Sequence, residues 1–259
     1  MVTGDSPETE SPTQMPATPA WPPNTLPRLF LDQPLAQDAH LTLDGPAANY
    51  LGAVLRLKPG AQVKLFDDRT GEWLAEIVTA ERRAVTLAVT RHLRDREPVP
   101  DLWLLAAPIK KGRIDWLMEK ACELGVARIV PVLTRRTIVD RLNHDRLRAH
   151  LIEAAEQCGR TALPDLADLT PLDTLLKAWP DDRQLLFADE TGGQSFGQAV
   201  RPGPAAILIG PEGGFTPEER DSIRAIPKAT GVTLGPRILR ADTAMAAAVA
   251  LWMAHAGDW

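Results

Sequence analysis

Cysteine is nearly absent from this chain of 259 residues. The two present, Cys122 and Cys158, lack Cys-x-x-Cys spacing, which excludes a disulfide framework and a cysteine-based zinc site. The five histidines (His40, His92, His144, His150, His255) are scattered and none is at ligand spacing from a cysteine, so no bound metal is expected. No apolar run reaches about eighteen residues, so no membrane-spanning helix is expected. Lysine and arginine are missing from the first 24 residues, which instead hold six prolines and three acids. A secretory leader needs a basic start and an apolar core. The composition instead predicts a disordered, proline-rich tail over residues 1–24 and a cytoplasmic protein.

Net charge is −5, which on its own argues against nucleic acid, but the bases are unevenly placed. Residues 101–160 carry eleven bases against eight acids. Bases also clump at Arg82-Arg83, at Lys110-Lys111 with Arg113, and at Arg135-Arg136. Such clumps can grip phosphates, though a solvated face explains them equally well.

Apolar residues make up 44% of the chain, enough for two modest cores. From Leu26 to about Thr90 the pattern is that of strands, with "NYLGAVLRLKPG" (49–60) expected as a short helix and Asp67-Asp68-Arg69-Thr70-Gly71 as a hairpin turn. Val85, Leu87 and Val89 alternate with period two. The charged, proline-containing "RDREPVP" (94–100) ends this β-rich module. The division expected is 25–95 for the module, 96–100 for a linker and 101–259 for a second domain. There the rhythm becomes strand, helix, strand, helix. "LWLLAAP", "ARIVPVLT", "QLLFADE", "AAILIG" and "GVTLG" are short uninterrupted apolar runs, as in parallel strands buried on both faces. The class is α/β. The closing segment 242–255 is a helix apolar on nearly every side, which predicts burial all round, within the chain or against a second copy.

Three strand-end loops are nearly bare of side chains. "AAILIGPEGGFTPEER" (205–220) runs from a buried strand into a helix opened by Thr216, Pro217 and Glu219. Ligands of open α/β sheets sit at such places. Gly-x-x-Gly-Gly is neither a dinucleotide fingerprint nor a P-loop, and Glu212 would repel a pyrophosphate, so a flat neutral or cationic ligand fits better. "LGPRILRADTA" (234–244) and "FADETGG" (187–193) have the same character. They can line one pocket if their strands are neighbours.

With those motifs in place, the chain resembles the RsmE family of SPOUT-class RNA methyltransferases. "IGPEGGFTPEE" followed by "LGPRILRADTA" carries the resemblance, with "KGRIDWLMEKACELGVARIVPVLTRR" (111–136) and "EAAEQCGRTALPDL" (153–166). The stretch "RLFLD…NYLGAVLRLKPG…LFDDRTGEW" is similar to that family's PUA-like RNA-binding module. Arg135 and Asp242 stand where the family often has Glu. The resemblance implies a trefoil-knotted parallel sheet, S-adenosylmethionine as cofactor, a homodimer, and methylation of N3 of a uridine in 16S ribosomal RNA. It places the cofactor against Leu186, Phe187, Glu190, Ile209, Gly210, Pro211, Glu212, Gly213, Gly214, Leu234, Gly235, Ile238, Leu239, Arg240, Thr243 and Ala244. Main-chain groups of Ile209, Gly210, Gly214, Leu234 and Leu239 would bond the adenine, and Glu190 the ribose or the ammonium. Arg240 first and Arg237 second would stabilise the charge left on the deprotonated uracil, with Asp242 or Glu212 as base. Arg28, Arg82, Arg83, Lys110, Lys111, Arg113, Arg135 and Arg136 would meet RNA phosphates. The rivals are a ribose 2′-O methyltransferase of the same class, a non-catalytic RNA-binding assembly factor and, weakest, a nicotinamide oxidoreductase.

Overall fold

The computed structural model describes residues 26–81 and 83–259; the tail expected over 1–24 and the proposed RNA contact Arg82 lie outside the described residues. The first module holds β1 (Arg28–Phe30), β2 (His40–Leu43), α1 (Gly45–Asn49), β3 (Gln62–Phe66), β4 (Glu72–Ala80) and β5 (Val85–Arg94). Its strands are ordered β1-β3-β4-β5-β2, antiparallel except for the β1–β3 pair. The alternation at Val85, Leu87 and Val89 turns all three inward against Val63, Leu65, Ala75 and Ile77. Asp67 closes the expected hairpin turn by accepting from the amides of Arg69 and Thr70 and from the Thr70 hydroxyl.

The helix expected over 49–60 forms earlier. It starts after Asp44 with Pro46 in its first turn, and a π-helical turn at Tyr50–Val54 completes it. Arg56, at φ +55°, breaks the helical path, so the "LRLKPG" end is loop. Strand β5 runs on to Arg94, because Arg91, His92 and Arg94 continue the ladder with β4.

The second module contains β6 (Leu102–Ala106), α2 (Arg113–Glu123), β7 (Arg128–Leu133), α3 (His144–Cys158), β8 (Asp165–Leu166), β9 (Thr170–Pro171), α4 (Leu172–Lys177), β10 (Gln184–Ala188), β11 (Gln194–Ser195), α5 (Phe196–Ala199), β12 (Ala205–Ile209), α6 (Pro217–Arg224), β13 (Ala229–Thr233) and α7 (Ala241–Ala256). Its sheet is ordered β11-β13-β10-β12-β6-β7-β8, with β9 beside the end of β7, and every pair is parallel. Successive residues of each central strand enter opposite layers. Leu104, Leu186 and Ile207 pack with α2, α3 and α7, while Leu105, Phe187 and Leu208 pack with α4 and α6. All five residues of β12 are buried, which explains its unbroken apolar run.

Helix α7 is only half covered. Ala244, Met245, Ala248, Val249, Trp252 and Met253 are buried, whereas Leu251 on the outer face is 38% exposed. Among the described residues, no helix is long and apolar enough to cross a membrane.

The two modules meet through buried polar contacts. Arg28, expected at RNA, has its side chain only 10% exposed and paired with Glu72. Its guanidinium also donates to the carbonyls of Ala155, Glu156 and Arg160 and lies over the Phe66 ring. All three nitrogens of the buried guanidinium donate, so Arg28 joins the modules and is not free to contact RNA. Arg94 also pairs with Glu72 and donates to the Gly159 carbonyl. In the expected linker, Glu97 accepts from the amides of Thr161 and Ala162. Arg94 and Glu97 of "RDREPVP" are thus used at the junction.

Candidate active site

Strands β13, β10 and β12 are consecutive in the sheet, with Leu186 in register with Ile207 on one side and Thr230 on the other. All three run the same way, so the loops 187–193, 210–216 and 234–240 open at one edge, as a shared pocket requires. The loops after β6 and β7, carrying Lys110, Lys111, Arg135 and Arg136, open at the same edge.

Inside this edge the segments touch. Gly214 sits at φ +66°, and a Cβ built there would clash with Glu190 Oε1, so the Glu190 carboxylate rests directly on bare main chain. On the other side the Arg136 guanidinium donates to the Gly213 carbonyl at 2.6 Å. The helix start read from sequence forms as a reciprocal cap. The Thr216 amide donates to Glu219 Oε2 at 2.9 Å, and the Glu219 amide to Thr216 Oγ1 at 3.2 Å. Glu219 is buried, and its second oxygen accepts from the Arg135 amide at 2.7 Å, holding the loop after β7 against the glycine loop.

Buried main-chain groups are normally paired, with the chain or with water, so unpaired ones at a strand-end loop are available to a ligand. Among the described residues, the N–H and C=O groups of half-buried Gly210, Leu234 and Leu239 make no hydrogen bond. Two other expected contacts are already engaged: the Ile209 carbonyl accepts from the Ala107 amide at 3.0 Å, and the Gly214 amide donates to the Pro211 carbonyl at 2.8 Å. Leu186 and Phe187 are fully buried, with their main chain between two ladder partners. Ala244 is buried too, and its amide donates to the Arg240 carbonyl within helix α7. The side chains of Leu186, Phe187, Ile209 and Ala244 are therefore part of the core and not free to meet a ligand. The reason is that pocket residues must follow the last ladder pair, whereas these four belong to the elements themselves.

Glu212, Gly213, Gly235 and Thr243 are exposed, Pro211 is buried, and Ile238 is 95% exposed. Arg237 and Arg240 are exposed and have no ion pair among the described residues. Arg240, not Asp242 or Thr243, occupies the N-cap position of α7. Asp242 lies in the first turn, accepting from the Thr243 amide at 2.9 Å, with its other oxygen 3.8 Å from Arg113 Nη1. Arg83, Lys110, Lys111 and Arg135 are exposed; Arg113 is half-buried.

Sequence reading missed Asp189. Its carboxylate accepts from the Thr191 amide and hydroxyl and from Arg224 Nη2 at 2.6 Å, fixing the turn that presents Glu190. Burial raises its pKa, but these hydrogen bonds and the Arg224 charge outweigh that and hold the carboxyl below the ordinary range. Asp-x-Thr spacing is a turn signature and was legible. Arg220, which donates to Glu190 Oε1 at 3.3 Å, had no local signature.

Comparison with known proteins places this geometry. A model of the RNA methyltransferase domain matches residues 95–253, and one of the RNA methyltransferase PUA domain matches residues 43–90. The chain belongs to this RNA methyltransferase family. Ribosomal RNA small subunit methyltransferase E of Rickettsia conorii is 28% identical over 229 residues, covering 86% of this chain and 93% of that protein. The protein of the same name from Synechocystis is 30% identical over 221 residues, 82% of this chain and 72% of the relative. A Legionella pneumophila methyltransferase solved with bound S-adenosylmethionine superposes with TM-score 0.83 at 28% identity, covering 91% of this chain and 100% of that one. Ribosomal RNA small subunit methyltransferase E of Neisseria gonorrhoeae, also with S-adenosylmethionine, gives TM-score 0.79 at 28% identity, with 88% and 97% covered. As a member of the RNA methyltransferase family, the chain is an enzyme of the SPOUT fold, its parallel sheet preceded by a PUA-like module.

Proposed function

We propose that this RNA methyltransferase transfers the methyl group of S-adenosylmethionine to N3 of a uridine in small-subunit ribosomal RNA, in the cytoplasm and as a homodimer. One observation carries the reading. Unpaired main-chain groups of Gly210, Leu234 and Leu239 lie at one sheet edge beside the Glu190 and Glu212 carboxylates and two unpaired arginines. The donor set suits the cofactor: peptide groups for an adenine edge and carboxylates for an ammonium, with Glu212 set against a pyrophosphate.

When bound, S-adenosylmethionine supplies an electrophilic methyl group. Gly210, Leu234 and Leu239 hold the adenine through main chain, and Glu190 the ribose or the ammonium. Positioning is the main contribution of these residues. Loss of the N3 proton spreads negative charge over O2, N3 and O4 of uracil, and the Arg240 guanidinium, with Arg237 beside it, stabilises that charge. Asp242 or Glu212 takes the proton; D242N and E212Q, compared as pH–rate profiles, assign it. Exposed Arg83, Lys110, Lys111 and Arg135 meet phosphates, with Arg136 beside them on the loop after β7, against the glycine loop. The outer face of α7, with Leu251, suits the partner subunit and is tested by sedimentation of L251E, expected to shift the protein to monomer.

The deciding measurement is nucleoside analysis of small-subunit RNA incubated with enzyme and labelled cofactor. N3-methyluridine is expected; label on ribose would establish the 2′-O rival, and no label with no cofactor binding the assembly-factor rival. A valine at position 214 tests the pocket. A β-branched residue at φ +66° is strained by about 1–2 kcal/mol, and its Cβ displaces Glu190. Cofactor affinity of G214V should fall about tenfold or more, with the circular dichroism spectrum retained. Unchanged affinity in titration calorimetry would remove loop 210–216 from the binding site.

A further inference from the structure

A carboxylate has two oxygens, and the helix start at Thr216 uses only one of those of Glu219. The residue is 3% exposed. Its Oε2 closes the reciprocal cap with the Thr216 amide, which by itself satisfies what a capping residue is there to do. Oε1 instead accepts from the Arg135 amide at 2.7 Å, 84 residues earlier in the chain. Main-chain N–H groups of two different loops thus meet on one buried carboxylate. Withdrawing either donor would strand a buried acceptor, so the loops hold their places together.

The loop after β7 is closed into a turn where this bond reaches it. The Thr134 amide donates to Thr137 Oγ1 at 3.0 Å, the two hydroxyls are 2.9 Å apart, and the Thr137 amide donates to the Thr134 carbonyl at 3.2 Å. Arg135 and Arg136, both exposed, form the tip of that turn. A second tie leaves from it. A Cβ built on Gly213 would lie 3.4 Å from Arg136 Cβ and Cδ, so the arginine stem lies along that bare glycine while its guanidinium donates to the Gly213 carbonyl. On the α4 side is a cavity of about 420 Å³, lined by Arg135, Leu176, Lys177, Glu218, Glu219 and Ser222 among others, which leaves the turn room to shift once the tie is cut.

We infer that Glu219 is a positioning residue through which RNA held at Arg135 and Arg136 tightens cofactor binding at the glycine loop, and the cofactor tightens RNA binding. The inference rests on the proposed seating of the cofactor at loop 210–216 and of phosphates on these two arginines. Phosphates on Arg135 and Arg136 order their turn, and the turn is bonded to Glu219 Oε1. Through Oε2 and the Gly213 carbonyl that order passes to the loop that meets the cofactor. A ligand arriving at an already ordered loop loses less conformational entropy on binding. Linkage makes the effect reciprocal, so each ligand changes the dissociation constant of the other by the same factor.

Equilibrium dialysis of the full-length protein with labelled S-adenosylhomocysteine, which has no methyl group to transfer, reads the coupling without turnover. Saturating small-subunit ribosomal RNA should lower the wild-type dissociation constant about fivefold or more. The E219Q side chain can accept at one oxygen only, so cap and tie cannot both persist, and the ratio of the two constants should fall toward one. T216V weakens the same helix start but leaves the bond from the Arg135 amide, and should keep the wild-type ratio. A merely structural role would weaken binding equally with and without RNA and leave the ratio unmoved. Hydrogen exchange of the wild type needs no substitution: S-adenosylhomocysteine should slow residues 134–137 along with 210–216. The inference is overturned by a wild-type ratio of one, by E219Q keeping the wild-type ratio, by T216V losing it, or by slowing confined to 210–216. In each of those results the cofactor still binds, so the proposed function survives. Absence of any binding, or of slowing at 210–216, would overturn that reading and the inference with it.

Discussion

Replacing Arg240 with alanine is expected to lower kcat by about 10²–10³-fold, the usual effect of removing one donor from a developing oxyanion, while the dissociation constant for S-adenosylmethionine stays near the wild-type value. The structure puts the guanidinium at the N-cap position of α7, exposed and without an ion pair among the described residues, so its removal leaves no buried partner stranded. Loss of activity in R240A therefore reports on charge stabilisation and not on folding. R240K should recover part of the rate, because the charge returns without the planar fork. R237A should have the smaller effect. Single-turnover kinetics on small-subunit RNA with saturating cofactor makes the measurement. Wild-type turnover in R240A would take Arg240 out of the chemistry.

Glutamine at position 72 should be strongly destabilising. The Glu72 side chain is 5% exposed and receives both Arg28 and Arg94. Breaking a buried pair by neutralising one member costs about 3–5 kcal/mol, because the other charge stays buried and uncompensated. At roughly 2–4 °C per kcal/mol for a chain of this size, the melting midpoint of E72Q should drop well outside measurement error. Arg28 would keep its three carbonyl acceptors, so the modules should loosen but not separate.

The same residue sets an acid limb. Burial raises the Glu72 carboxyl, but hydrogen bonds from Arg94 and Arg28 and their charges win and hold it below its ordinary value of 4.5. A carboxyl held down in the folded state contributes its stability in full above that ordinary value, and the contribution is lost as pH falls through the lower folded one. Wild type should thus lose stability on acidification below about pH 4.5. Asp67 and Asp189, also held down by hydrogen bonds against burial, deepen the fall. E72Q should show a shallower acid limb; limbs of equal slope would deny Glu72 this role.

The glycine loop was readable because its information is local. Thr216, Pro217 and Glu219 specify a helix start by their own hydrogen bonds, and an unbroken apolar strand before them specifies depth in the sheet. Arg28 was misread for the opposite reason. A basic residue at the head of a strand looks the same whether solvent or three carbonyls from another module surround it, and those carbonyls are more than a hundred residues away in sequence. The early end of the first helix turned on Arg56 taking a left-handed conformation, which nothing beside it demands.

By itself the sequence determined the class of fold, the two-module order, the bare strand ends, and the absence of a phosphate-binding pattern, since these follow from periodicity, glycine placement and charge within short windows. Only the tertiary structure decided that β10, β12 and β13 lie side by side, which loop peptide groups remain unpaired, and that Arg28 and Glu72 join the modules. Strand order and long-range contacts come from how whole elements pack, and no stretch of chain carries the address of a partner far from it in sequence.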